Sequence, residues 1–218
     1  MLHQFALEYG DWVASLPHTM ERALSRMQRP AHRALLQRSL DYEQGHFCDD
    51  DDAALRNVGI SPRTVSGVPR AMLFRRFSQA LGIADWETAE REPAKPCPAA
   101  RQWHTRLLEF LDRATAAQAL GALGLGTEHI VRPIYEQVLE GLLGLGSLRR
   151  DDFVFFELHC LVGGRHRENL LGMTKELAAV PGGIAELRFG MRIALQLRAE
   201  FWDHIYLRAV RAQLANPA

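Results

Sequence analysis

Apolar residues recur along most of the chain at intervals of three and four, and no stretch sustains the two-residue alternation of a half-buried strand. The pattern predicts an all-α protein. Amphipathic segments are expected over residues 2–16 and 17–28, the second opening on Pro17, a residue well tolerated in a first helical turn. A third begins at Pro30 and carries Leu35, Leu36, Leu40, Glu43 and His46. Residues 48–68 change character, with Asp49 to Asp52 followed by Gly59, Pro62 and Gly67, and read as a loop with little regular structure. Helix resumes from Pro69 to about Gly82, and Pro93, Pro96 and Pro98 mark a connector into residues 99–113. A short Ala-rich helix and a Gly-rich break over residues 121–126 precede a long apolar helix over 128–143. Last come residues 151–166, their continuation to Val180, and a final helix over 183–214. About seven major helices without an internal repeat point to a compact bundle rather than a solenoid.

The length of 218 residues suits one domain, residues 1–218, with a sizeable core. Acidic and basic residues balance at 26 each, so the basic excess that marks a nucleic-acid or membrane-surface partner is missing. Cys48, Cys97 and Cys160 are an odd number at no metal-finger or redox-pair spacing, which argues against a disulfide framework and fits a reducing cytoplasm. The first residues carry no basic segment leading into an apolar run, and no segment has the uninterrupted apolar length of a membrane span.

The chemistry concentrates in three places. His159 and His166 stand seven apart in a helix-compatible run, which at about 100° per residue returns both imidazoles to one face. Such a pair is either two hydrogen-bonded core histidines or two nitrogen ligands for a metal. Glu43 and His46 are spaced i, i+3, the Glu-x-x-His arrangement by which helical bundles build carboxylate-bridged metal sites, or else a solvated helix pair. A further carboxylate is then expected from another helix, and Glu128, the first acidic residue after the Gly-rich break, fills that place. Its alternative is a first-turn acid favoured by the helix dipole, with Thr127 as the cap. The run Asp49 to Asp52 lacks the alternating ligands of a calcium loop and reads as solvated. His204 pairs with Glu200 at i, i+4, and Cys160 reads as a packed core thiol.

Three segments carry a family resemblance: residues 40–46 (Leu-Asp-Tyr-Glu-Gln-Gly-His), the Gly-rich run 119–128 ending in Glu128, and Phe155 through His166. The stretch from Leu197 to Asp203 adds to it. With these, the chain resembles the haem-oxygenase-like diiron oxidases and oxygenases, relatives of the thiaminase-type and pyrroloquinoline-quinone-synthase-type proteins, over roughly residues 33–208. The resemblance implies the haem-oxygenase-like helical fold, two Fe(II) ions, and dioxygen-dependent oxidation of a small amino-acid-derived or fatty-acid-like substrate in specialised-metabolite biosynthesis. By match, Glu43, His46, Glu128, His159 and His166 take five of the family's six ligand roles.

The sixth role falls four residues after His159, on Gly163, which has no side chain to offer. In some relatives the early His lies further on, just before a Leu-Phe pair, and here that place is near Arg70. A compensating carboxylate from Glu157, Glu168, Glu200 or residues 49–52, a single metal, or no metal at all are the alternatives that follow. Two other classes stay open: a metal-independent enzyme of the same fold in which Glu and His act as acid and base, and a non-catalytic binding member. Arg165, beside His166, and Arg70 are the proposed anchors for a substrate carboxylate, with Arg132 and Arg192 as further donors. A homodimer is expected by analogy with the fold alone.

Overall fold

The computed structural model describes residues 2–83, 99–161 and 164–215, apart from the side chains of residues 49, 161, 164–166 and 212–213. Its first helix, α1 (Leu2–Arg26), runs straight through Pro17 where the sequence suggested two helices. The apolar stripe explains this: Phe5, Tyr9, Trp12, Leu16, Met20 and Ala23 keep one face on both sides of the proline and are all buried. A break at Pro17 would turn half of that stripe away from the core. After α1 come α2 (Pro30–Glu43), α3 (Asp49–Asn57), α4 (Pro62–Val65), α5 (Arg70–Ala80), α6 (Ala99–Leu111) and α7 (Ala116–Leu120). A π-helical run, Gly121–Glu128, leads into α8 (His129–Leu145); a 3-10 turn, Arg150–Asp152, precedes α9 (Val154–Leu161), α10 (Gly164–Ala178) and α11 (Gly183–Ala215). Helices are the only regular structure among the described residues, in eleven α-helical segments rather than about seven. None of them is long and apolar enough to cross a membrane.

Two further expectations are corrected. Residues 48–68 hold α3 and α4 instead of an irregular loop. The acidic run starts α3, where negative side chains favour the positive end of the helix dipole, and the Cys48 backbone N–H donates to Asp51 Oδ2 at 3.0 Å. Leu55, Ile60 and Val65, all buried, tie the segment to the core. The Gly-rich run 121–126 is no break either, since it continues α7 into α8 as π-helix. Glycine there permits contact between backbones: a Cβ on Gly121 would lie 2.1 Å from the Leu187 carbonyl oxygen, and one on Gly126 2.8 Å from the Met191 carbonyl oxygen. Gly190 returns the approach from α11, with its Cβ position 1.9 Å from the Gln118 oxygen. The longest helix therefore seats against the π run with almost no side-chain layer between them.

α1 packs on α5 and α6, and α11 closes over α6, α7 and the π run. Trp12 of α1 stacks on Trp103 of α6 with ring centroids 3.7 Å apart. Phe74, Phe77, Phe155 and Phe156 join α5 to α9 edge-to-face at 5.0 to 6.1 Å. Tyr9 and Tyr135 meet through their hydroxyls at 2.7 Å, fixing α1 to α8. α2 packs on α1 and α10, and together with α5, the π run and α9 it lines one cavity.

Candidate functional site

The cavity has a volume of about 30 Å³ and is lined by Tyr42 and Glu43 of α2, Arg70 of α5, Glu128, Val131 and Arg132 around the start of α8, His159 of α9 and Arg167 of α10. Each residue arrives there for a local reason. Glu43 is the last residue of α2 and is 4 % exposed. Arg70 opens α5 at 3 % exposure, its Cζ 4.9 Å above the Tyr42 ring and 5.8 Å from that of Phe47. Glu128 ends the π run, where the extra residue per turn re-aims the side chain. The first-turn reading of Glu128 fails because helix continues on both of its sides, and Thr127 Oγ1 bonds the Ala122 carbonyl at 3.0 Å instead of capping. His159 Nδ1 lies 2.8 Å from the Phe155 carbonyl oxygen. A carbonyl only accepts, so Nδ1 carries a proton, and in the neutral tautomer the lone pair is on Nε2.

Electrostatics set the carboxyl groups apart from ordinary surface acids. Burial pushes Glu128 up to about 8, and the Glu43 carboxylate adds to this while Arg198 and Arg70 pull it back. Glu43 is raised by burial and lowered by Arg70. Burial also raises Tyr42 and Tyr135 above the usual phenol range.

Of the residues singled out in the sequence, Glu43, Glu128, His159 and Arg70 come together here. His46 does not. α2 ends at Glu43, Gly45 turns the chain with φ +85°, and His46 stands exposed, so the i, i+3 relation never forms. The side chains of Arg165 and His166, and Gly163 itself, lie outside the described residues. The suggested compensating carboxylates are elsewhere: Glu157 receives Arg150 Nε at 2.8 Å, Glu200 is paired with Arg106, Glu168 is exposed, and Asp51 and Asp52 serve Cys48, Ser66 and Arg56. Sequence reasoning missed Arg198, which is 3 % exposed with its Cζ 4.9 Å over the Trp103 ring, and whose charge reaches Glu128. Its position between Ala194 and Phe201 on the buried face of α11 was the available signal.

The described residues do not fit a two-iron centre. Among them no group of three His, Cys, Asp or Glu side chains stands close enough to hold a metal ion. In addition, a permanent cation, Arg70, lies 4.0 Å from Glu43, so iron bound to that carboxylate would sit against a like charge.

Residues 71–199, more than half of the chain, match the family of iron-containing redox enzymes. A solved cadd-like protein of unknown function from Nostoc punctiforme superposes with a TM-score of 0.72 at 19% identity, over 96% of this chain and 84% of that one. A domain of unknown function with a heme oxygenase-like fold from Shewanella denitrificans superposes at 0.55 with 17% identity, over 100% and 94%. A Holliday junction branch migration complex subunit RuvA from Cutibacterium acnes is 26% identical over 147 residues, 65% of this chain and 72% of that protein, a likeness too slight to assign a family. The chain therefore has the haem-oxygenase-like helical fold and belongs to the family of iron-containing redox enzymes.

Proposed function

We propose that this chain acts on a small organic molecule by general acid–base chemistry in the Glu43, Glu128 and His159 cavity, with Arg70 as a fixed cation in the place of a metal. One observation carries the reading: a guanidinium 3 % exposed stands beside Glu43 in the cavity that Glu128 and His159 also line. A carboxyl group held near 8 is largely protonated at neutral pH and donates from oxygen. His159, with its proton fixed on Nδ1 by the Phe155 carbonyl, accepts at Nε2. A protonated carboxyl group and an imidazole in one small cavity are the two partners that a proton transfer within a substrate requires. Glu43 orients Arg70 and offsets its charge.

Iron- and dioxygen-dependent oxidation of an amino-acid-derived or fatty-acid-like substrate is the second reading. Family membership favours it, as does the Phe155 carbonyl on His159, the kind of support that ligating imidazoles receive. An anaerobic Fe(II) titration of the purified chain, followed by oxygen and absorbance monitoring, separates the two. The acid–base reading expects less than one iron per chain and no new visible band in the wild type, with iron gained in the double variant Arg70→His, Gly163→Asp. One or two irons in the wild type, with an oxygen-dependent band lost in His159→Ala, overturns it.

A further inference from the structure

Arg70 is buried with part of its hydrogen-bonding capacity unused. Nε and Nη1 have no hydrogen-bond partner among the described residues, and Glu43 Oε1 stands 4.0 Å from Nε, beyond hydrogen-bond reach. Buried donors without acceptors are costly, and in native proteins they mark an unseen water, ion or ligand. The rings of Tyr42 and Phe47 flank the guanidinium and limit the positions it can take. Arg198 is equally buried and its three guanidinium nitrogens lack partners too, yet it does not line the cavity. Arg70 alone of the two is thus presented to a ligand.

The space beside it sets the size of that ligand. A cavity of about 30 Å³ takes one or two waters, or the three atoms of a carboxylate head. Beyond the buried end, Arg132 is exposed and Arg167 half-buried, so the open side of the cavity is basic as well. A guanidinium fork pairs bidentately with carboxylate and phosphate, and of the two a carboxylate is the smaller.

We propose that Arg70 receives the carboxylate of a small organic acid, whose remaining atoms extend toward Arg132 and Arg167. This rests on the acid–base reading of the cavity and gives it a substrate class: short-chain monocarboxylates, anchored by a guanidinium.

The test is calorimetric titration of the purified full chain, dialysed against chelator and held at constant chloride, with acetate, propionate and inorganic phosphate as probes. Wild type and the surface variant Arg63→Gln should bind propionate and show a raised Tm, Arg70→Gln should bind at least 10-fold more weakly, and Arg70→Lys should fall between. Circular dichroism checks that each variant is folded, and Arg70→Lys decides the matter if Arg70→Gln is not. Absence of carboxylate binding in wild type, equal binding in the Arg70 variants, or tighter binding of phosphate than of propionate overturns the proposal. Iron content is measured on the same sample before dialysis, so bound iron would refute the acid–base reading while the effect of the Arg70 variants is still read separately.

Discussion

Glu43 closes α2 and Arg70 opens α5, so each charge sits at the helix end whose dipole opposes it, and the two lie 4.0 Å apart at 4 % and 3 % exposure. A carboxylate disfavours a helix C-terminus and a cation an N-terminus. Helix electrostatics therefore supply no reason for either residue. The pair exists through tertiary burial alone, which is the expected mark of groups placed for a site rather than for the stability of their own helices.

A double-mutant cycle should expose the asymmetry of that pair. Glu43→Met leaves a guanidinium buried with no counter-charge and should cost about 3–5 kcal/mol. Arg70→Met leaves a carboxyl group that takes up a proton, so its cost should be smaller, about 1–2 kcal/mol. With both replaced, most of the loss should return, because two apolar side chains remain in an apolar setting. Urea unfolding of the four proteins checks this, and strictly additive losses would show that the two residues do not interact.

Two glycines on the helical scaffold should respond in opposite directions. Gly190→Ala forces a methyl group to within 1.9 Å of the Gln118 oxygen, which cannot yield without moving α11 off α7. A loss of about 1–3 kcal/mol or more is expected. Gly172, inside α10, has nothing within 4 Å of its Cβ position, and Gly172→Ala should gain about 0.5–1 kcal/mol from the unfolded chain alone. Thermal unfolding of both variants is the check: a fall in Tm for Gly172→Ala would mean that the helix is not built as described.

The contrast between these glycines also shows what the sequence could and could not reveal. Periodicity made the helical class legible, because the buried stripe of each long helix repeats locally. It misread Pro17 and the run 121–126, where packing against distant helices overrides local preference: the proline is carried by a stripe that continues past it, and the glycines by backbone contact with Leu187 and Met191. At the site, Glu43, Glu128 and His159 were found from residue type and family spacing, and they do line one cavity. His46 was misplaced although Gly45, a strong helix-stop residue, stood between it and Glu43. The role of Arg70 as Glu43's neighbour depends on where α5 begins relative to α2, a long-range relation that no spacing records.

Another buried carboxylate tests the outer end of the fold. Glu8, 1 % exposed on α1, accepts from Arg208 Nη1 and from Gln4 Nε2, each at 2.6 Å, and lies 3.4 Å from His204 Nε2. It ties the last turns of α11 to α1. Glu8→Ala should cost about 1.5–3 kcal/mol, the usual worth of hydrogen bonds to a charged group. The loss should be local. Amide exchange should quicken over residues 200–211 and stay unchanged over 184–195, where α11 is held by the π run. Uniform change along α11 would contradict this division.

The raised Glu128 makes stability depend on pH in a direction opposite to most carboxylates. In the folded chain it holds its proton to about 8, whereas in the unfolded chain it releases it near its ordinary value of 4.5. Between these values the native state binds more protons than the unfolded one, so stability must fall as pH rises. This contribution is fully present below pH 4.5, declines through the window up to about 8, and is flat above it. The slope is at most about 1.4 kcal/mol per pH unit for one group. Urea unfolding at pH 5, 6.5, 8 and 9 should therefore show wild type weakening across the window, and Glu128→Gln, which keeps the shape and removes the titration, should be the more stable protein at pH 8 and lose much of the slope. Glu43 is raised for the same physical reason, and some slope should remain until Glu43→Gln is added. If Glu128→Gln left the pH profile of stability unchanged, the carboxyl would be ionised throughout the neutral range, and its role as the proton donor of the cavity would fall with it.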